Sequence, residues 1–480
     1  MSGVLPSNVS YFMQRLQGVS VSHFKVHPQT DGNQTSGKIV RFELPSNTLL
    51  NLRATRLFFN CKTAGAGASM PNDVSSFIER CSVYMGGVLV QNGFQGYNVL
   101  KHAKAALVGS KCGSTLGHPE IVRKVSYHNG NSFGDTDPET YSITGTESFC
   151  IDNWEGLLGS LEPSIIDTGL MPQITLEITL ADDTVCPISE GRLIPDGTGA
   201  TTNNFDKTGS GNPTYVLSEM TLQCEVLGMA TSVLDQIVEQ RIASVGYLSM
   251  PFKNYYSFVS THNDTSRFNI NSASWDRLWL TYRPTTYSTK SAPVIVNGYK
   301  KAGAFVSLAA TNNDATNFDV GLPQYDSGGS GLLNTNTERY ISNYFKFKEI
   351  KSSASAPAYF QLQVNSANIP AYRMTTPEAY AMSMNSVDMY DKNHKITLDQ
   401  YKNDFFCQVY RFCLPESDFN RLASGLDTRS VSAMGSLTTE NIAQCNLMMF
   451  AETTAELRLG KKRFRDELNH QCPKQVQVGA

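Results

Sequence analysis

Residues 148–181 read SFCIDNWEGLLGSLEPSIIDTGLMPQITLEITLA, and the spacing of the apolar residues changes along them. Over Gln173–Ala181, Ile174, Leu176, Ile178 and Leu180 alternate with Gln173, Thr175, Glu177 and Thr179. A period of two places one set in a core and the other toward water, which is a strand on the face of a sheet. Upstream, Trp154, Leu157, Leu158 and Leu161 fall at i, i+3, i+4 and i+7, the apolar stripe of a short amphipathic helix. Asp152 is the expected N-cap, with Glu155 completing a capping box, and Pro163 ends or kinks the helix near Glu162. The unit is therefore strand, short helix pair, strand. Core packing explains all of its apolar residues without any catalytic role.

The surrounding chain points to the same class. Its 480 residues carry 17% charged and 40% hydrophobic residues, with 36 glycines. That is ample apolar surface for large cores, with less charge than usual, and it favours β-structure with long polar loops over helix bundles. A formal net charge of −3 gives no overall basic footprint for a polyanion. The sequence has no long apolar run of membrane-spanning length, and MSGVLPSNVS is not patterned as a secretory signal. The 10 cysteines form no C-x-x-C pair and mostly lie in strand-like apolar runs such as FFCQVYRFC, where reduced thiols act as small hydrophobes and suit folding in the cytosol. Sequons at Asn8, Asn33 and Asn263 carry little weight without a secretory route.

Taken in order, residues 1–36 read as a polar N-terminal arm, within which Val9, Phe12, Met13 and Leu16 form a short helical stripe able to dock on a partner. Strands follow at 39–46, 49–63 and 81–91, the last folding as a hairpin around Gly86–Gly87, then a helix over 96–107. Polar loops occupy 108–147 and 187–213, with the opening unit between them and a strand at 214–229 after them. Segment 231–244 has helical spacing and is the expected joint between two domains. The order of events then recurs: 266–284 repeats the alternation of 40–60, and 357–364, 376–389 and 405–415 give strand, helix (Thr376 as cap, Pro377 in the first turn) and strand. A polar insertion covers 308–336, and 445–460 is the last long strand. Two copies of one plan imply an all-β chain of two tandem eight-stranded jelly rolls with short helices and long loops, at 37–230 and 245–460. The tail 461–480 holds five basic against two acidic residues, with Lys461, Lys462, Arg463 and Arg465 at its start, a composition suited to an anionic membrane surface or nucleic acid.

Motifs that carry chemistry are missing. GSKCGST (109–115) has the wrong spacing for a phosphate loop, and His118-Pro-Glu120 lacks the cysteine half of a deaminase site. There is no H-E-x-x-H, no G-x-S-x-G and no H-x-H to supply a cupin-type metal site. No catalytic, metal or cofactor-binding residues are therefore expected. Asp427-Thr428-Arg429 is a charged loop, either an interface latch or a solvated turn.

Four stretches, IDNWEGLLGSLEPSIIDTGLMPQITLEITLA, VLVQNGFQGYNVLKHAKAAL, GYLSMPFKNYYSF and GLDTRSVSAMG with CNLMMFAETTAELRLG, together resemble the major capsid proteins of the double-jelly-roll family. The similarity is greatest to those of polinton-like viruses, virophages and related eukaryotic DNA viruses, and it runs from about residue 8 to 460 by order and pattern, departing in the long loops. The resemblance implies a homotrimer of pseudo-hexagonal outline that tiles an icosahedral virion shell, with no enzyme activity and no cofactor. Its partners would be itself, neighbouring trimers, penton and minor capsid proteins, and an internal membrane or the genome met by the basic tail. The arm residues would then contact adjacent capsomers. A tandem jelly-roll lectin that binds carbohydrate is the alternative, and a jelly-roll enzyme a third.

Overall fold

The computed structural model describes residues 20–64, 71–108, 147–186, 192–194, 204–206, 214–228, 247–285, 343–387, 396–414, 424–429, 433–460 and 475–479, except positions 31, 72, 92, 170, 346 and 404. Eight main strands build the first roll, β1 (Ser20–Val26), β2 (Ile39–Glu43), β3 (Leu49–Ala64), β4 (Ile78–Met85), β5 (Val88–Gln91), β6 (Glu147–Ile151), β7 (Ile174–Leu180) and β8 (Thr214–Gly228), and two short strands join them, Gln34–Thr35 on β8 and Ile165–Asp167 on β3. They pair antiparallel as β1-β8-β3-β6 and β2-β7-β4-β5. The second roll uses β9 (Tyr247–His262), β10 (Thr265–Ile270), β11 (Trp275–Pro284), β12 (Tyr359–Val364), β13 (Ala367–Thr375), β14 (Cys407–Arg411), β15 (Ala433–Glu440) and β16 (Cys445–Gly460). Their orders are β9-β16-β11-β14 and β10-β15-β12-β13. Adding eight to each strand of the first roll reproduces the second. The duplication expected from sequence is thus a duplication of topology, two sandwiches with jelly-roll connectivity.

The helices repeat as well. α1 (Tyr97–Leu107) joins β5 to β6, while α3 (Thr376–Ser386) and α4 (Leu398–Asn403) join β13 to β14. Between β6 and β7, α2 (Leu157–Ser160) is a single turn. The alternation that decided the fold is kept along β7: Ile174, Leu176, Ile178 and Leu180 are buried, and Thr175, Glu177 and Thr179 are half-buried. The buried side chains of both rolls form one continuous core. Cys61, Cys81, Cys186, Cys224, Cys407 and Cys445 lie within it and form no disulfide, and burial pushes the thiols of Cys81, Cys224 and Cys445 up to about 12.

Several expectations need correction. The helix over Trp154–Leu161 shrinks to α2, and its N-cap is Gly156 rather than Asp152. At φ 81 and ψ −145 Gly156 leaves helical space, and a Cβ there would lie 2.6 Å from Gln91 Oε1, the atom that accepts from Leu157 N at 2.7 Å. Glu155 is held by other partners, described below, so no capping box forms. The four apolar side chains are buried all the same. At α3 the cap is Thr375, one residue earlier than expected, because its backbone N–H and hydroxyl both reach the Glu378 carboxylate, at 2.7 and 2.8 Å. Within the expected arm, β1 pairs along its whole length with β8, backbone pairing that the weak apolar pattern of SVSHFKV did not signal. Within the expected tail, Gln475–Gly479 pairs with β16. The loops 109–146 and 308–336 and the joint 231–244 lie outside the described residues, as does most of 187–213.

Candidate functional site at the seam between the rolls

Where the two rolls meet, the sequence places glycine, aromatics and paired charges. Gly96, at φ 81, caps α1 and brings the chain against β16, where a Cβ would come to 2.5 Å from Met448 Cε. Phe94 packs on Tyr255 and Phe450 of the second roll, with ring centroids 5.4 and 6.0 Å apart. Further along α1, the His102 ring stacks on Phe345 at 3.8 Å and shares a hydrogen bond with Ser76 Oγ at 2.8 Å. Burial pushes that imidazole down to about 4, against the opposing pull of Asp73. Gly96→Ala is expected to cost about 1–3 kcal/mol as an overpacked, left-handed position. Urea unfolding checks it, and an unchanged midpoint would show that the seam yields freely at β16.

Deeper in the seam, charge replaces apolar contact. Lys104 Nζ of α1 donates to Glu155 Oε2 at 2.6 Å and to the Tyr255 hydroxyl at 3.0 Å. Glu155 N donates to the Tyr97 hydroxyl at 2.9 Å, so the residue expected to complete a capping box instead ties α1 to the loop before α2. From the second roll, Glu452 of β16 accepts from Arg277 Nη1 at 3.1 Å and Trp279 Nε1 at 2.9 Å. Burial opposes the Glu452 charge, but Arg277, Lys104, Lys253 and the Trp279 N–H outweigh it and hold the carboxyl at about 2. Burial likewise disfavours the Lys104 charge, yet Glu155 and Glu452 raise its pKa above the usual lysine value. Lys253 Nζ reaches Asp276 Oδ2 at 2.7 Å, while its backbone N–H donates to Ser160 Oγ of α2 at 2.8 Å. Glu162 N donates to Pro251 O at 3.1 Å, so the stretch that decided the fold also fastens one roll to the other.

These groups border a cleft of about 700 Å³ lined by Arg53, Lys104, Trp154, Lys253, Trp279 and Glu452 among others. Each cation on its wall, Arg53, Lys104, Lys253 and Arg277, has a carboxylate within 3.4 Å or less. The cleft is therefore electrically balanced, with each ion pair inside one roll, and the hydrogen bonds from Lys104 to Tyr255, Lys253 to Ser160 and Glu162 to Pro251 cross between the rolls. Among the described residues no group of three or more His, Cys, Asp or Glu is placed to hold a metal ion.

The residues singled out from sequence fare differently. Val9, Phe12, Met13 and Leu16, and Lys461, Lys462, Arg463 and Arg465, lie outside the described residues. In the 427–429 loop, Arg429 Nη2 pairs with Asp427 Oδ2 at 2.8 Å on the open surface. The residue between them does the anchoring: Thr428 Oγ1 accepts from Ser272 N at 2.9 Å, and Thr428 N donates to Ser272 O at 2.8 Å. The seam charges were not singled out, since no local spacing links Lys104, Arg277 and Glu452. Their one signal is a glutamate at position 452, inside an otherwise uncharged run, NLMMFAETTA.

The fold defines a class, tandem jelly rolls fused through a common core. Among solved structures the Faustovirus major capsid protein shares it, with a TM-score of 0.50 and 9% identity over 91% of this chain and 90% of that one. The PBCV-1 virus capsid model matches with a TM-score of 0.47 and 10% identity over 92% and 94% of the two chains. The Sputnik virophage structure gives a TM-score of 0.46 and 10% identity over 96% of this chain and 88% of that chain. No family model and no curated protein matches the sequence.

Proposed function

We propose that the chain is the major structural protein of a viral shell, in which three copies form a capsomer of pseudo-hexagonal outline and capsomers tile an icosahedral capsid. The observation that carries this is the duplicated sandwich in one chain: a cyclic trimer of two-roll subunits presents six similar units around its axis. The shared fold with the Faustovirus major capsid protein over nearly the whole of both chains supports it. So does the seam, where Lys104 donates to Tyr255 and Lys253 to Ser160 across the two rolls. Edge strand β1 adds to this, because Val21 and Phe24 on it are 55% and 51% exposed, an apolar edge suited to cover by a neighbouring copy. On this account the arm stripe Val9, Phe12, Met13 and Leu16 contacts adjacent capsomers. Penton and minor capsid proteins complete the shell, and the basic run after residue 460 faces a membrane or genome inside.

Negative-stain imaging of the purified protein tests the assembly. Particles of hexagonal outline, and shells at higher concentration, are the expected result. Single two-lobed particles that bind immobilised glycans would instead support a carbohydrate-binding protein.

A further inference from the structure

Strand β16 has a stretch of edge that its own roll does not cover. β9 pairs with β16 along its full length, from Tyr247↔Gly460 to His262↔Cys445. On the other side β11 stops at Trp275↔Thr453. The equivalent strand of the first roll differs, since β3 accompanies β8 from Thr214↔Ala64 to Leu227↔Leu49. On that side the second roll leaves a slot along Glu456–Gly460. Gln475–Gly479 fills it, in antiparallel register from Glu456↔Gly479 to Gly460↔Gln475. The filling strand is five residues long and is joined to β16 through 461–474. Fully extended, that connection spans at most about 50 Å.

We infer that the Glu456–Gly460 edge is a docking slot for the C-terminal strand of a second copy of this chain, and that copies exchange this strand when they assemble. Within a closed ring every slot is refilled, so exchange loses no backbone pairing and gains an intermolecular tie. The strand's sequence, QVQVG, supplies the alternation that pairing needs without charge. The inference rests on the self-assembly proposed above, and the test separates the two.

Arg458 and Gln477 lie opposite each other in the register, and the Arg458 side chain is exposed. In a Cys472→Ser background, single variants Arg458→Cys and Gln477→Cys are co-expressed and the double variant is expressed alone; each is oxidised mildly, run on a non-reducing gel and assayed for remaining thiols, with the particle mass measured in parallel. The pair Glu456→Cys and Gly479→Cys repeats the test at a second register position. Assembled particles that yield covalent dimers from the mixed single variants are expected. Assembled particles in which links form only when both cysteines share one chain would overturn the exchange and leave the capsomer intact. Monomers throughout would overturn both. Absence of any link at either register position would show that the strand does not occupy the slot, and would overturn the exchange.

Discussion

Glu452→Gln is expected to destabilise the protein by about 3–5 kcal/mol, the range for breaking a buried ion pair by removing one partner. Glutamine keeps an acceptor for Trp279 Nε1 but leaves Arg277, whose side chain is 8% exposed, without its counter-charge. Lys104 and Lys253 then face that guanidinium with less negative charge between them. Urea unfolding of the two proteins at neutral pH measures the loss. The same group sets an acid limit. Its carboxyl sits at about 2 in the folded protein against an ordinary 4.5, so its contribution is present above 4.5 and is lost as pH falls toward 2. The gap between wild type and Glu452→Gln should therefore narrow steadily over that interval. A constant gap would mean that Glu452 acts through packing alone. By contrast Arg429→Ala, at a fully solvated pair, should leave the midpoint unchanged.

Leu157→Ala, in the single turn of α2, is expected to cost about 2–5 kcal/mol, and Leu161→Ala a similar amount, because each removes a completely buried side chain and leaves a cavity. The paired controls are Thr175→Ala and Thr179→Ala on the half-buried face of β7, where about 0.5 kcal/mol is typical. Similar losses at both sets would contradict the facing of β7 and show that its outer side is packed as tightly as its inner one.

The contrast between these sites explains what the sequence could and could not reveal. A strand with one buried face writes its facing into every second residue, so β7 and the long strand 445–460 were legible without any partner. Repetition of strand order made the second roll visible, with 266–284 repeating the alternation of 40–60. The apolar stripe at Trp154, Leu157, Leu158 and Leu161 was legible as burial but misleading as helix, because Gly156 changes the backbone in a way that periodicity does not register. β1 escaped notice because its pairing comes from main-chain groups, with six of its seven residues exposed. The seam was least legible. Lys104, Arg277 and Glu452 come from three separate stretches that no local spacing links, and Glu155 reads as part of a capping box until the rolls are set together.

The central claim, that two fused jelly rolls form a self-assembling capsomer, is tested most directly by the mass of the purified protein in solution. Multi-angle light scattering at micromolar concentration in physiological salt should give three times the chain mass of 52.8 kDa, or about 158 kDa. A mass of 52.8 kDa that does not rise with concentration would contradict it.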